Sequence, residues 1–290
     1  MSSPRACEVS GYTVSRQGDF ASAAVTQRVE DCTECGGSGL LRAEVTENGR
    51  RYEVVQPCPR ARMVTRAASF SSARIPAVHT QASFESFRPS NAEQARAQQV
   101  AREFALKYPQ SRGYILSGPV GTGKTHLLSA TLKHLALEVG ARVAYVEISL
   151  LYAQIRRGFQ DGRSGGEIIQ PLSQVDVLAI DELGKGRGSA FELDTLDELI
   201  ARRYNAGRVT LFATNYSLKS PEDRAQRGYV STEAMVDATK ESKLLCDRVG
   251  DRIYSRLCEM CEFVEFPSST ADQRRTRSIS ERVPNGPPRR

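Results

Sequence analysis

"GYILSGPVGTGKTHLL" (residues 113–128) is the stretch that decides the fold of this chain. Its apolar start reads as a short buried strand, and the spacing Gly-x-x-x-x-Gly-Lys-Thr, Gly118 to Thr125, follows where a helix should begin. Pro119, Val120, Gly121, Thr122 and Gly123 make up the loop between. Glycine lacks the Cβ that would obstruct an inward curl of backbone N–H groups, so the loop can close around an anionic oxygen. The helix "KTHLLSATLKHLALEVG", ending at Gly140, adds the positive end of its dipole. The pattern predicts a nucleotide-phosphate cradle, with Lys124 reaching the β- and γ-phosphates and the Thr125 hydroxyl a ligand for Mg2+.

Outward from the cradle, helices and apolar runs alternate. A helix at about 91–108 precedes the strand at 114–117, and the cradle helix covers 123–138. Strand "RVAYVEI" (142–148), helix "SLLYAQIRRGF", strand "VDVLAID" (175–181), helix 190–205 and strand "VTLFATN" (209–215) follow. Strands that are apolar throughout and separated by helices predict an α/β fold, a parallel sheet covered on both faces. A hydrolytic site also needs carboxylates. "VDVLAIDEL" supplies them at the end of a buried strand, where open α/β sheets bind ligands: Asp181 for the Mg2+ shell, Glu182 to orient and deprotonate water. Asn215 ends the next strand and could hydrogen-bond the γ-phosphate or the water, or simply make a turn.

The N-terminal third has a different character. Residues 1–30 are small and polar without periodicity, and are expected to be poorly ordered. Residues 31–80 form a cysteine-bearing module and linker: "CTEC" (Cys32, Cys35) is a knuckle, and "LLRAEVTENGRRYEVVQPC" reads as two strands around an Asn-Gly turn, ending at Cys58. Three thiolates there suit zinc, with Cys7 or His79 as a possible fourth ligand. "ARIPAVHTQASFESFRPS" (73–90) reads as a linker whose Phe84 and Phe87 pack on the next domain, which runs over 81–266. Residues 267–290 carry six arginines against two acids and read as a basic, largely disordered tail. Cys258 and Cys261 also have Cys-x-x-Cys spacing, but within a helix running into a strand they read as buried small hydrophobes.

At 290 residues and 40% hydrophobic content the chain can bury a real core. Its net charge of +6 admits a polyanionic partner without demanding one. No apolar run reaches the roughly 18–20 residues of a membrane span, and the N-terminus lacks the apolar core of a signal peptide, so a cytoplasmic protein is expected. Seven cysteines without a signal argue against a disulfide framework.

The succession "GPVGTGKT", "VLAIDELG", "LDELIARRYNAGRVTLFATN" and "DRVGDRIYSRLCEM" resembles the AAA+ ATPases of the DnaC-type helicase loaders and the related IstB-type transposition ATPases, from about Ser83 to Phe266. The resemblance implies that Asn215 is the sensor of the γ-phosphate and Arg256 an arginine finger offered to a neighbour's ATP, with Arg252 second in line. Arg274 in "DQR" resembles a second sensor, although Gln273 stands where the family has an aromatic. Loaders of this type often carry an N-terminal zinc knuckle; Arg60 occupies the position expected for its fourth ligand. "SLKSPEDRAQRGYVSTEAMVDATKESK" (217–243) is longer than the family usually has there. The resemblance implies an oligomeric ATPase that grips single-stranded DNA and uses its N-terminal module to hold a replicative helicase. Two alternatives stand beside it: an IstB-like regulator that binds duplex DNA and delivers a transposase, and a binding module switched by nucleotide with negligible hydrolysis.

Overall fold

The computed structural model describes residues 7–9, 11–186, 188–218, 243–270 and 272. Its first element corrects the expectation for residues 1–30. Strands β1 (Cys7–Val9), β2 (Tyr12–Gln17) and β3 (Phe20–Val25) form an antiparallel meander. Tyr12, Val14 and Ala21 face inward and are buried in the same apolar cluster as residues of the cradle helix. The order comes from these long-range contacts, which a short run of small residues does not announce.

The predicted ribbon follows as β4 (Leu40–Glu47) and β5 (Arg50–Pro57), joined at Asn48 and Gly49, both with positive φ as a tight two-residue turn requires. Helix α1 (Pro59–Ser72) comes next, capped by Cys58, whose Sγ accepts the Ala61 N–H. Its Ala67 and Phe70 are buried in the same apolar cluster as Tyr12 and Val14. Its Arg66 donates to the carbonyls of Leu137, Glu138 and Val139, the end of the cradle helix, which Tyr12 also reaches through Leu137 O at 3.1 Å. A cation on the last turn of a helix satisfies carbonyls that have no partner within it.

The expected linker is therefore docked along its first part. Ala21 N donates to Ile75 O and Ala77 N to Asp19 O, while Tyr145 N donates to Ala73 O on the other side. A 3-10 turn (Ala77–His79) ends this stretch, and no boundary falls near residue 80: the meander and α1 share the core of the residues that follow. Phe84 and Phe87 are buried there as expected.

From α2 (Ala92–Lys107) onward the elements match the predicted alternation, except for an additional helix over 165–174. They are β6 (Gly113–Ser117), α3 (Lys124–His134) with a π-turn (Leu135–Val139), β7 (Val143–Glu147), α4 (Ile148–Gln160), α5 (Gly165–Gln174), β8 (Val177–Asp181), α6 (Ala190–Asn205) and β9 (Val209–Thr214), then α7 (Leu245–Val249), α8 (Asp251–Met260) and β10 (Cys261–Glu265). All five strands pair in parallel in the order β10-β6-β9-β8-β7. Every residue of β6 and β8 is buried, the mark of strands covered on both faces. One apolar cluster holds the α2 and α3 side with the N-terminal meander; the second holds α4 to α8. Most of the unusual 217–243 segment, and Arg274, lie outside the described residues. Among the described residues no helix is long and apolar enough to cross a membrane. Of the second cysteine pair, Cys261 is buried as expected, whereas Cys258 is exposed.

Candidate nucleotide site

The parallel order brings the C-terminal ends of β6, β8 and β9 side by side, and the expected nucleotide residues hang from those ends. A cavity of about 510 Å³ there is lined by the loop from Val120 to His126, by Asp181 and Glu182, and by Thr214 and Asn215. The loop itself is wedged. A Cβ on Gly123 would lie 2.4 Å from the Phe87 ring, and one on Gly121 1.9 Å from Asp272 Oδ1, with both glycines at positive φ. Gln94 of α2 holds the loop by donating Nε2–H to Thr122 O at 2.9 Å. Among the described residues no side chain caps the N-terminus of α3, and its start, Gly123 to His126, lines the cavity, where an anion would meet the positive end of the helix dipole.

Lys124 is buried and folds back, donating to the carbonyls of Gly118 and Pro119, each at 2.7 Å. Asp181 is the centre of the polar contacts. Its Oδ2 accepts from Thr125 Oγ1 at 2.7 Å and from the Tyr145 phenol at 2.8 Å, and its Oδ1 accepts the Glu182 N–H at 2.8 Å. Burial, then the charge of Asp181, pushes the Tyr145 phenol far above its usual range, so it remains a donor. The hard oxygen set of Thr125 and Asp181 suits Mg2+ rather than a soft metal.

Glu182 has φ of 56°, a left-handed backbone rarely adopted by residues other than glycine and often found at functional positions. Its carboxylate pairs with Lys185, which also reaches Glu147 Oε1 at 3.4 Å; Ser149 donates to the same Glu147 oxygen at 2.6 Å. Burial raises the pKa of Glu182, Lys185 pulls it down, and neighbouring Glu147 raises it again, leaving it above the ordinary value. No motif in the sequence marks Tyr145, Lys185 or Glu147; a polar residue near the end of a parallel strand is the available signal for Tyr145 and Glu147.

Two other groups sit apart. Arg256 and Arg252 of α8 do not line the cavity; both reach Asp197 of α6, Arg256 at 2.5 Å and Arg252 at 3.6 Å, and Arg252 is the more exposed. Cys32, Cys35 and Cys58 come together, their Sγ atoms all within 4.8 Å of one another. Desolvation opposes ionisation of Cys35, but the Gly39 N–H and the thiols of Cys58 and Cys32 outweigh it and lower the group to about 7. Such a trio can hold a soft ion. His79 does not join it. It lines the nucleotide cavity with Val78, its ring 6.4 Å from that of His126, because the docked stretch after α1 leads there. The side chain of Cys7 lies outside the described residues.

The comparisons agree with this geometry. Residues 59–242 match the family model of the IstB-like ATP binding protein. The replicative helicase loader DnaC of Escherichia coli K12 is 28% identical over 185 residues, 63% of this chain and 74% of that one. A crystal structure of the DnaC helicase loader superposes with a TM-score of 0.54 at 26% identity, covering 66% of this chain and 99% of that one. AMPPCP-bound DnaA from Aquifex aeolicus, at 20% identity and a TM-score of 0.51 over 69% of this chain and 55% of that one, shares the fold. With its P-loop, five-stranded parallel sheet and paired acidic strand end, the chain belongs to the IstB-like ATP-binding proteins, AAA+ ATPases of the DnaC and IstB type.

Proposed function

We propose that this protein is an ATP-dependent loader of a replicative helicase, which hydrolyses ATP in an oligomer and grips single-stranded DNA. The hydrolysis reading is carried by one observation: Lys124, Thr125, Asp181, Glu182 and Asn215, drawn from three strand ends, meet in one cavity. The loop from Gly118 to Thr125 would bind the phosphates; Thr125 and Asp181 would hold Mg2+, which when bound supplies positive charge against the β- and γ-phosphates. Glu182 would take the proton of the attacking water and Asn215 would hydrogen-bond the γ-phosphate or that water. Arg256, with Arg252 beside it, lies on α8 away from this cavity, which supports donation to a neighbouring chain's site. Asp197 would then act as the rest that aims Arg256.

The loader reading draws on the DnaC relatives and on the cysteine module, in which Cys32, Cys35 and Cys58 would hold zinc and the ribbon would face the helicase. The pairing of Glu182 with Lys185 favours one refinement: hydrolysis stays slow until assembly or DNA draws Lys185 away. Affinity capture of the purified hexameric replicative helicase from the same organism tests the loader reading. A complex that responds to ATP is expected; no complex with or without nucleotide, beside ATP-dependent capture of a transposase, would support the IstB-like alternative instead.

A further inference from the structure

Among the side chains around the cavity, one has no assigned part in nucleotide chemistry and yet touches its central carboxylate. We infer that Tyr145 is a positioning residue that fixes Asp181 for metal binding; this rests on the reading of the cavity as an Mg-nucleotide site. Strand β7 pairs with β8 so that Glu147 stands opposite Asp181 and Tyr145 opposite Ala179. The tyrosine therefore starts two residues back, and its ring runs forward to put the hydroxyl on Asp181 Oδ2 at 2.8 Å.

A carboxylate offers about four lone-pair sites. Three are taken here: two on Oδ2, by Thr125 and Tyr145, and one on Oδ1, by the Glu182 N–H. Of the two hydroxyls on Oδ2, that of Thr125 is itself a candidate metal ligand, whereas the phenol has no second duty. Tyr145 is thus the side-chain donor able to stay with Asp181 throughout. Its own placement is fixed from both sides, since its N–H donates to Ala73 O at 2.8 Å at the end of α1 and its strand is paired with β8. A half-buried phenol needs some partner, and Asp181 could serve merely as a convenient one. The two accounts differ in what the hydroxyl does for the metal: hydrogen bonds to metal-binding carboxylates typically change metal affinity by about 10–100-fold.

Tyr145→Phe keeps the ring and removes the hydroxyl alone. The test is binding of a fluorescent ATP analogue to the full chain across a Mg2+ titration, with parallel titrations in EDTA and a thermal melt. The half-saturating Mg2+ concentration is expected to rise about tenfold, while affinity in EDTA stays at the wild-type value. Unchanged Mg2+ dependence in a folded variant overturns the inference. Equal loss of affinity with and without Mg2+ also overturns it, since that is the signature of general loosening. If Tyr145→Phe does not fold, Tyr145→Leu, which keeps apolar bulk and has no donor, is read by the same criteria. Wild-type protein that binds no nucleotide removes the parent reading and this one together, whereas wild-type Mg2+ dependence without an effect of Tyr145→Phe removes this one only.

Discussion

The nucleotide end of the sheet and the cysteine ribbon stand in contrast. At the first, every residue of β6 and β8 is buried, and the Asp181 carboxylate is held by Tyr145 on the neighbouring strand and by Thr125 of the helix after the phosphate loop. At the second, β4 and β5 expose most of their residues, including Leu40, Val45, Tyr52 and Val55, the last with 64% of its surface open. A lone two-stranded ribbon is marginal in water, so its geometry must come from the cysteine cluster at its base or from a partner on its surface. One region is specified by its core; the other has little core of its own.

The contrast breaks most visibly if the nucleotide end proves self-sufficient. Arg256→Ala should reduce turnover by about 10³-fold, the lower range for an arginine supplied in trans, while ATP binding persists. Mixing Arg256→Ala with Glu182→Gln should restore part of the rate, because some interfaces regain an intact arginine and an intact base. Steady-state hydrolysis at several protein concentrations checks both, and a rate indifferent to Arg256 and to concentration contradicts a shared site.

Metal removal sharpens the contrast from the other side. Cys32→Ser is expected to abolish a zinc content of about one per chain and to open the ribbon to proteolysis. The parallel sheet should unfold at nearly its wild-type temperature, because its core does not include the ribbon. Elemental analysis with limited proteolysis reads this; wild-type protein free of zinc would contradict it.

The smallest effect concerns acidity. Because Glu182 lies above the ordinary glutamate value of about 4.3 and Lys185 holds it down, the acid limb of hydrolysis should fall above that value. Lys185→Met should move the limb higher still, as activity is lost when pH falls through the raised pKa of the base. A limb that moves down would reverse the assigned role of Lys185.

The same contrast explains what is legible in the sequence. "YILS", "VDVLAID" and "VTLFATN" announce themselves because strands buried on both faces must be apolar throughout, and the loop after the first has a spacing set by backbone geometry. Asp181, Glu182 and Asn215 come with them, since strand ends in a parallel sheet fall at one edge. Residues 12–25 hide their order because it depends on α1 and on the π-turn at Leu137, partners distant in sequence. Residue type alone offers His79 to the cysteines; the docked stretch after α1 carries it to the phosphate loop instead. Tyr145 is hidden for a similar reason, because its hydroxyl acts on the neighbouring strand two residues ahead of its own position.

The central claim is that this cavity hydrolyses ATP with Glu182 as the base. The most direct measurement compares wild type and Glu182→Gln for ATP binding and for phosphate release, with single-stranded DNA present at high protein concentration. The account predicts equal binding and a loss of turnover of about 10²–10⁴-fold in Glu182→Gln, the usual range for removing a general base. Wild-type protein that binds ATP but releases no phosphate, and that Glu182→Gln matches in both assays, would contradict it and leave a nucleotide switch in place of an ATPase.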